Sequence, residues 1–195
     1  VGIVADCSGS MSREIDEVQR AVRALLELLS RTGNPSALWG FTDSVQYGCV
    51  EAKGRDAAPN LPAWALRGEG EVTREGTSIH QVGQHGGVTQ FKGFTETYRH
   101  ADDTISAMHR GNLRMGGTPD APCFATCAGI VSRQQADRKI LICLTDGGGY
   151  GTASIRGVTR MANALGVETI GLVWGNSSHV EHGDGQYNAS ATGFH

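Results

Sequence analysis

The sequence lacks long apolar runs, an excess of basic charge and any repeating spacing of cysteines. No stretch approaches the roughly 18 consecutive apolar residues of a membrane-spanning helix, which excludes that class of protein. The 17 Lys and Arg residues stand against 20 Asp and Glu residues, a formal net charge of −3. Such a balance offers no electrostatic reason to bind nucleic acid or an anionic membrane surface. We therefore expect neither nucleic acid nor a membrane among the partners.

The five cysteines are an odd number without a disulfide-like pattern: Cys7, Cys49, Cys123, Cys127 and Cys143. Reduced thiols in a cytosolic protein suit this usage better than the disulfide framework of a secreted one. Two of them stand four residues apart on a predicted helix, but a single pair is a weak signal for a metal site. We expect packed free thiols and a cytoplasmic location.

What is present is an ordinary globular composition, with 39% hydrophobic and 19% charged residues in a chain of 195. This length predicts one domain. Segments whose apolar residues have the spacing of strands alternate along the chain with segments whose apolar residues have the spacing of helices. The predicted order is a strand at 1–6, a helix at 15–29, a strand pair within 36–52, a helix at 119–132, a strand at 139–145, a helix at 154–165 and a strand at 167–175.

Alternation of this kind predicts an α/β fold with a doubly wound, mostly parallel central sheet and helices on both faces. Residues 53–93 break the rhythm, since they are rich in Gly, Pro and charge and have no clear period. We interpret them as an insertion and a candidate specificity surface, within which GEVTREG pairing with GGVTQFKGF is one arrangement. Residues 176–195 form a tail rich in Gly, Ser and His.

Oxygen-bearing side chains follow three of the predicted strand and loop ends. They are Asp6, Ser8 and Ser10 in DCSGS, Thr118 in MGGTPD, and Asp146 in LTDGGG. Ligands of open parallel sheets bind outside the carboxyl ends of the strands, so we expect these five residues to converge on one edge. There Asp6 would project into solvent.

Two carboxylates and three hydroxyls are the donors that a hard divalent cation prefers, and Mg²⁺ or Mn²⁺ is the predicted ligand. Because hydroxyls are neutral, they leave much of the charge of the cation uncompensated. A carboxylate from an Asp or Glu of a partner protein would complete such a site. The residues therefore predict a metal-dependent protein interaction.

The motif order Asp6-x-Ser8-x-Ser10, Thr118, Asp146-Gly147 resembles the metal-ion-dependent adhesion site of von Willebrand factor type A domains. The resemblance extends from Val1 to about Gly175. It implies a Rossmann-like fold and the five metal-binding residues named above.

Within that superfamily the chain is most similar to the intracellular branch, in particular the von Willebrand-type subunit of aerobic cobaltochelatase. The stretches that carry this similarity include ALWGFTD, FKGFTETY, MGGTPDAPCFATC and ETIGLVWG. The resemblance implies a docking module of a cobalt or magnesium chelatase-like assembly, whose partner is an AAA+ ATPase or its substrate. It implies no catalysis by this chain alone.

Two alternatives stay open at this point. An adhesive domain of an extracellular or phage-borne protein would carry the same motif. A metal-dependent hydrolase would need the HVEH segment, with His179 and His182, to act beside the metal, and Asp184 and His195 are near it in sequence. Hydrolysis requires a positioned base or a nucleophile paired with a His, and none is evident in the five-residue motif.

Overall fold

The structure, a computed structural model, describes residues 1–42, 70–74, 77–82, 86–99, 105, 120–146 and 152–174. Strands and helices alternate along most of this part of the chain. The strands are β1 (Gly2–Asp6), β2 (Ala37–Thr42), β3 (Gly70–Arg74), β4 (Thr77–Val82), β5 (Gly86–Lys92), β6 (Lys139–Thr145) and β7 (Val167–Val173). The helices are α1 (Ile15–Arg31), α2 (Asp120–Ser132) and α3 (Thr152–Ala164), with a short 3-10 helix at Gly9–Arg13.

The described strands form one sheet in the order β3-β4-β5-β2-β1-β6-β7. Strand β1 lies in parallel between β2 and β6, and β7 continues the parallel half beyond β6. On the other side, β5, β4 and β3 pair antiparallel in succession. Five of these seven strands consequently run in the same direction, which confirms the predicted α/β, mostly parallel sheet.

Helices cover both faces of the sheet. Successive residues of each central strand point to opposite faces, and the apolar ones on each face pack against a helix layer. Helix α1 packs the apolar stripe Ile15, Val18, Val22 and Leu26 against Ile3, Ala5 and Leu144. Helices α2 and α3 pack on the opposite face against Val4, Trp39, Phe41, Leu141 and Cys143. The doubly wound arrangement is therefore confirmed. No helix of the described residues is long and apolar enough to cross a membrane.

Four cysteines are buried and take part in no disulfide, as the sequence predicts: Cys7, Cys123, Cys127 and Cys143. Burial raises the pKa of each thiol, and nearby carboxylates raise the pKa of Cys7, Cys123 and Cys143 further. These side chains are therefore neutral packing groups at physiological pH. Cys49 lies outside the described residues.

The region expected to be an insertion contributes three strands to the sheet. The segments GEVTREG and GGVTQFKGF do contain strands, β3 and β5, but the predicted pairing between them is wrong. Strand β4 lies between the two and pairs with both, in register Val72↔Ile79 and Ile79↔Thr89. Its sequence TSIHQV is mostly polar and carries little apolar alternation, so it gave no signal of a strand.

A glycine at the centre of β2 permits a close contact that a larger residue would obstruct. A Cβ at Gly40 would lie 2.6 Å from Cε2 of Phe91 and 2.8 Å from Sγ of Cys7. We predict that Gly40→Ala lowers the free energy of unfolding by about 1–3 kcal/mol, because the buried ring and thiol must shift. Urea denaturation followed by circular dichroism measures this change.

The matched control is Gly157→Ala in α3, where no atom lies within 4 Å of the added Cβ. That substitution should leave stability unchanged or raise it by up to about 1 kcal/mol, because alanine favours helices. Equal stability of Gly40→Ala and the unmodified chain would contradict the tight packing at this position.

Candidate metal site

The chain turns sharply at the end of β1, and the Asp6 carboxylate organises the turn. The backbone N–H of Ser8 donates to Asp6 Oδ1 at 2.8 Å. The N–H of Cys7 donates to the carbonyl of Phe41 at 2.9 Å and extends the pairing with β2 by one residue. The 3-10 helix then begins at Gly9. A short side chain that accepts a hydrogen bond from the backbone two residues later is typical of Asx turns.

The two serines of the motif lie side by side on this turn. The Ser8 and Ser10 hydroxyl oxygens are 3.0 Å apart, so one donates to the other. Ser8 is buried, whereas Ser10 is exposed. The motif therefore extends from the protein interior, where Ser8 lies, to the surface, where Ser10 lies.

The end of β6 brings further oxygens to Asp6. Because Ala5 pairs with Leu144 in the parallel register, Thr145 is level with Asp6. The Thr145 hydroxyl donates to Asp6 Oδ2 at 3.1 Å. The backbone N–H of Trp174 donates to the Thr145 carbonyl oxygen at 2.7 Å. Asp146 follows immediately, is partly buried, and is near enough for its charge to act on Asp6.

The structure thus brings together Asp6, Ser8 and Ser10 and places Asp146 beside them. Thr118 lies outside the described residues, as do His179, His182, Asp184 and His195 of the tail.

The expectation that Asp6 projects into solvent is wrong, because Asp6 has no solvent-exposed surface. The turn folds back over the end of β1, with Ser8 and Met11 also buried, and Thr145 closes the side toward β6. A strand that ends at the sheet edge need not expose its last side chain when the following residues cover it.

Burial has a strong electrostatic effect on this carboxyl. The pKa of Asp6 is raised to about 7, mainly by removal from water, and the neighbouring Asp146 charge contributes in the same direction. Hydrogen bonds from Ser8 and Thr145 oppose the rise. Among the described residues, the charge that acts on Asp6 is the negative charge of Asp146. An ionised Asp6 therefore has no positively charged side chain there to compensate it.

Sequence reasoning missed two buried polar residues, Thr145 beside Asp6 and Asp120 at the start of α2. Thr145 lies two residues after Cys143 on β6, so the two side chains point to the same face of the sheet, which is also the face of Asp6. This alternation was the available signal for Thr145. Asp120 stands in the quoted MGGTPD segment, is the first residue of α2, and is 1% exposed. Its Oδ1 accepts the N–H of Ala121 at 2.6 Å.

The donor chemistry fits a hard divalent cation. Carboxylate and hydroxyl oxygens are ligands for Mg²⁺ and Mn²⁺, and they are poor ligands for soft metals. In the described ranges, no three His, Cys, Asp or Glu side chains are grouped so as to hold a metal ion. The oxygens at the ends of β1 and β6 are therefore a hydroxyl-rich donor set with two carboxylates, Asp6 and Asp146.

No protein-family model matches the chain. No curated protein matches it either. Among solved structures, the chain is similar to the pilus adhesin SpaC from Lactobacillus rhamnosus GG in its open conformation, with a TM-score of 0.54 and 16% identity. The match covers 88% of this chain but only 23% of that chain. A structural similarity at 16% sequence identity shows that the two proteins share an α/β fold.

We predict that Asp6→Asn stabilises the metal-free chain at pH 8 by about 1–3 kcal/mol, because it removes a buried charge. An amide retains an oxygen for the Ser8 N–H and an NH₂ group that can pair with the Thr145 hydroxyl. Chemical denaturation in excess chelator measures the change. Asp137→Asn, at an exposed position before β6, is the control and should change stability little. A less stable Asp6→Asn variant would contradict an unfavourable buried charge.

Proposed function

We propose that this chain is a von Willebrand factor type A module that binds one Mg²⁺ or Mn²⁺ and, through it, a protein partner. Asp6, Ser8, Ser10 and Asp146 would hold the cation together with Thr118. The observation that carries the proposal is the fully buried Asp6 carboxylate, which lies beside a second carboxylate and two aligned serine hydroxyls. The two carboxylates repel each other when both are ionised, and a bound divalent cation would attract both.

The chain's own residues have separate roles in this proposal. Asp6 is held by the N–H of Ser8 and the hydroxyl of Thr145, so its oxygens are oriented before any ligand arrives. Ser10, at the exposed end of the motif, marks the side from which a partner would approach. The bound cation supplies positive charge at that side, and an Asp or Glu of the partner is the matching group.

The same donor set favours binding over catalysis. Hydrolysis on a metal needs a base placed to activate water, and a covalent mechanism needs a nucleophile paired with a base. The groups that donate hydrogen bonds to the Asp6 carboxylate in the described residues are the hydroxyls of Ser8 and Thr145 and the backbone amide of Ser8. We therefore propose a docking module without catalysis of its own.

The proposed context is a cytoplasmic, AAA+ ATPase-coupled assembly of the cobalt or magnesium chelatase type. The resemblance of the sequence motifs supports this context, and four buried cysteines outside disulfides are compatible with a reducing compartment. The second candidate is an adhesive domain, which the structural similarity to a pilus adhesin brings forward. That similarity is one of fold, so a binding experiment must separate the two.

The metal site is tested by calorimetric titration of Mg²⁺ and Mn²⁺ into the chelator-stripped chain. We expect one ion per chain. Asp6→Ala should weaken affinity at least about 100-fold, and Ser10→Ala and Thr118→Ala roughly tenfold each, since each removes an oxygen from the predicted set. Ser132→Ala is the matched control, because that hydroxyl bonds to Gly129 at the other end of α2. Unchanged affinity in Asp6→Ala would disprove this location for the metal.

The assembly is tested by sedimentation of the chain with the AAA+ subunit of a cobaltochelatase or magnesium chelatase. We expect a complex in Mg²⁺ that dissociates in EDTA and does not form with Asp6→Ala. Because the adhesive alternative requires no ATPase, absence of a complex with a chain that binds Mg²⁺ would contradict the chelatase context and favour adhesion.

A further inference from the structure

The two faces of strand β7 differ in their exposure to water. Val167 and Thr169 point to one face and are buried, and helix α3 packs on that face. Ile170 and Leu172 point to the other face and are 38% and 39% exposed. Strand β7 is the last strand of the sheet on its side. One face of this edge strand is therefore covered by a helix, and its other face presents apolar side chains to solvent.

Helix α1 forms a wall beside this open face. Trp174 Nε1 donates to Glu17 Oε2 at 3.2 Å, which joins the end of β7 to the first turn of α1. Because α1 connects the parallel strands β1 and β2, it runs antiparallel to them and to β7. Leu28 lies about three turns after Glu17, on the same side of α1 and about 16 Å along it. Ile170 lies about 13 Å before Trp174, so Leu28 and Ile170 are roughly level.

These positions define a groove between α1 and β7, with β6 beneath it. We call it the edge groove, and the residues that line it are Leu28, Ile142, Ile170 and Leu172. Within the described ranges, Leu28, Ile170 and Leu172 are the large aliphatic side chains that are exposed. Single exposed apolar residues are common on protein surfaces, whereas a group of them marks a docking site.

The chain itself supplies a candidate occupant of the edge groove. Residues 175–195 follow β7 directly and lie outside the described residues. Tyr187, Ala191 and Phe194 stand at i, i+4 and i+7, which is the spacing of one helical face. Strand spacing would instead place Tyr187 and Phe194 on opposite faces. A helix is therefore the arrangement that unites the two aromatic side chains on one side.

The topology of the sheet directs such a helix to the edge groove. Helix α1 follows β1 and helix α3 follows β6, each running back along the sheet from the carboxyl ends of the strands. A helix after β7 would start at the same edge, where α3 already covers one face of β7. Residues 175–186 are a longer connection than the two to six residues that such units commonly use. The reach of the chain is therefore sufficient.

We propose that residues 187–194 dock as a helix in the edge groove, with Tyr187 beside Leu172 and Phe194 beside Ile170 and Leu28. The two aromatic residues are about 10 Å apart along a helix, which spans the groove from Leu172 toward Leu28. Docking removes apolar surface of both partners from water. It also shields the edge strand from association with a second copy of the chain. The inference does not depend on the metal site.

The experiment is hydrogen–deuterium exchange with mass spectrometry on the full chain in excess chelator, with sedimentation velocity to follow self-association. The groove variant is Ile170→Ser with Leu172→Ser, and the tail variant is Tyr187→Ser with Phe194→Ser. The matched tail control is Asn188→Ser with Thr192→Ser, which changes the other side of the same helix. Arg160→Ser, at an exposed position on α3, is the control for the groove variant.

We expect the amides of residues 187–194 to exchange at least about tenfold more slowly than those of an unstructured peptide, because a docked helix protects them. The groove and tail variants should each lose this protection and self-associate, while β6 and α3 stay protected. Both controls should behave as the unmodified chain.

Exchange of residues 187–194 at the unstructured rate in the unmodified chain would overturn the inference. Protection that persists in the groove variant would place the helix elsewhere and overturn it as well. Protection that appears only at protein concentrations where the unmodified chain sediments as a dimer would assign the groove to a second copy, against the proposed occupant.

Discussion

The buried carboxylate of Asp6 is the constraint around which this end of the molecule is organised. An ionised carboxylate loses its hydration when it is removed from water, and hydrogen bonds replace only part of that loss. Ser8 and Thr145 each donate to one of its oxygens, while Asp146 adds negative charge. The ionised carboxyl is therefore unfavourable when it is charged and alone, and in the proposed function a divalent cation would compensate its charge.

The position of Asp6 depends on the sheet beneath it. Strand β1 is bordered on both sides by parallel strands, and apolar layers from α1 on one face and from α2 and α3 on the other leave its backbone little freedom. Because β1 and β6 run in the same direction, their carboxyl ends meet, and Thr145 and Asp146 arrive next to Asp6. The packed core thus holds a turn of short polar side chains in a defined arrangement, as the proposed metal site would require.

The central elements were accessible from the sequence because their patterns are strong. The apolar run KILICLT is bounded by charge and glycine, and β6 occupies Lys139–Thr145 as predicted. The amphipathic stripe of α1 predicts its buried face from Ile15 to Leu26. Strand β4 was missed because TSIHQV has few apolar residues and no apolar alternation, although both strands with which it pairs are its neighbours in the sequence. Exposure of Asp6 was misjudged for a related reason, since the covering turn and the end of β6 are brought there by tertiary packing.

Periodicity and composition are local properties of the chain, so they are enough to predict the α/β class, the two-sided helix arrangement and which oxygen-bearing residues stand at the ends of strands. The depth at which Asp6 is buried and the hydrogen bond that Thr145 donates to it depend instead on tertiary packing. Those features arise from contacts between segments more than a hundred residues apart, such as Asp6 with Thr145. Side-chain burial and charge proximity are set by that long-range packing, and no local pattern encodes them.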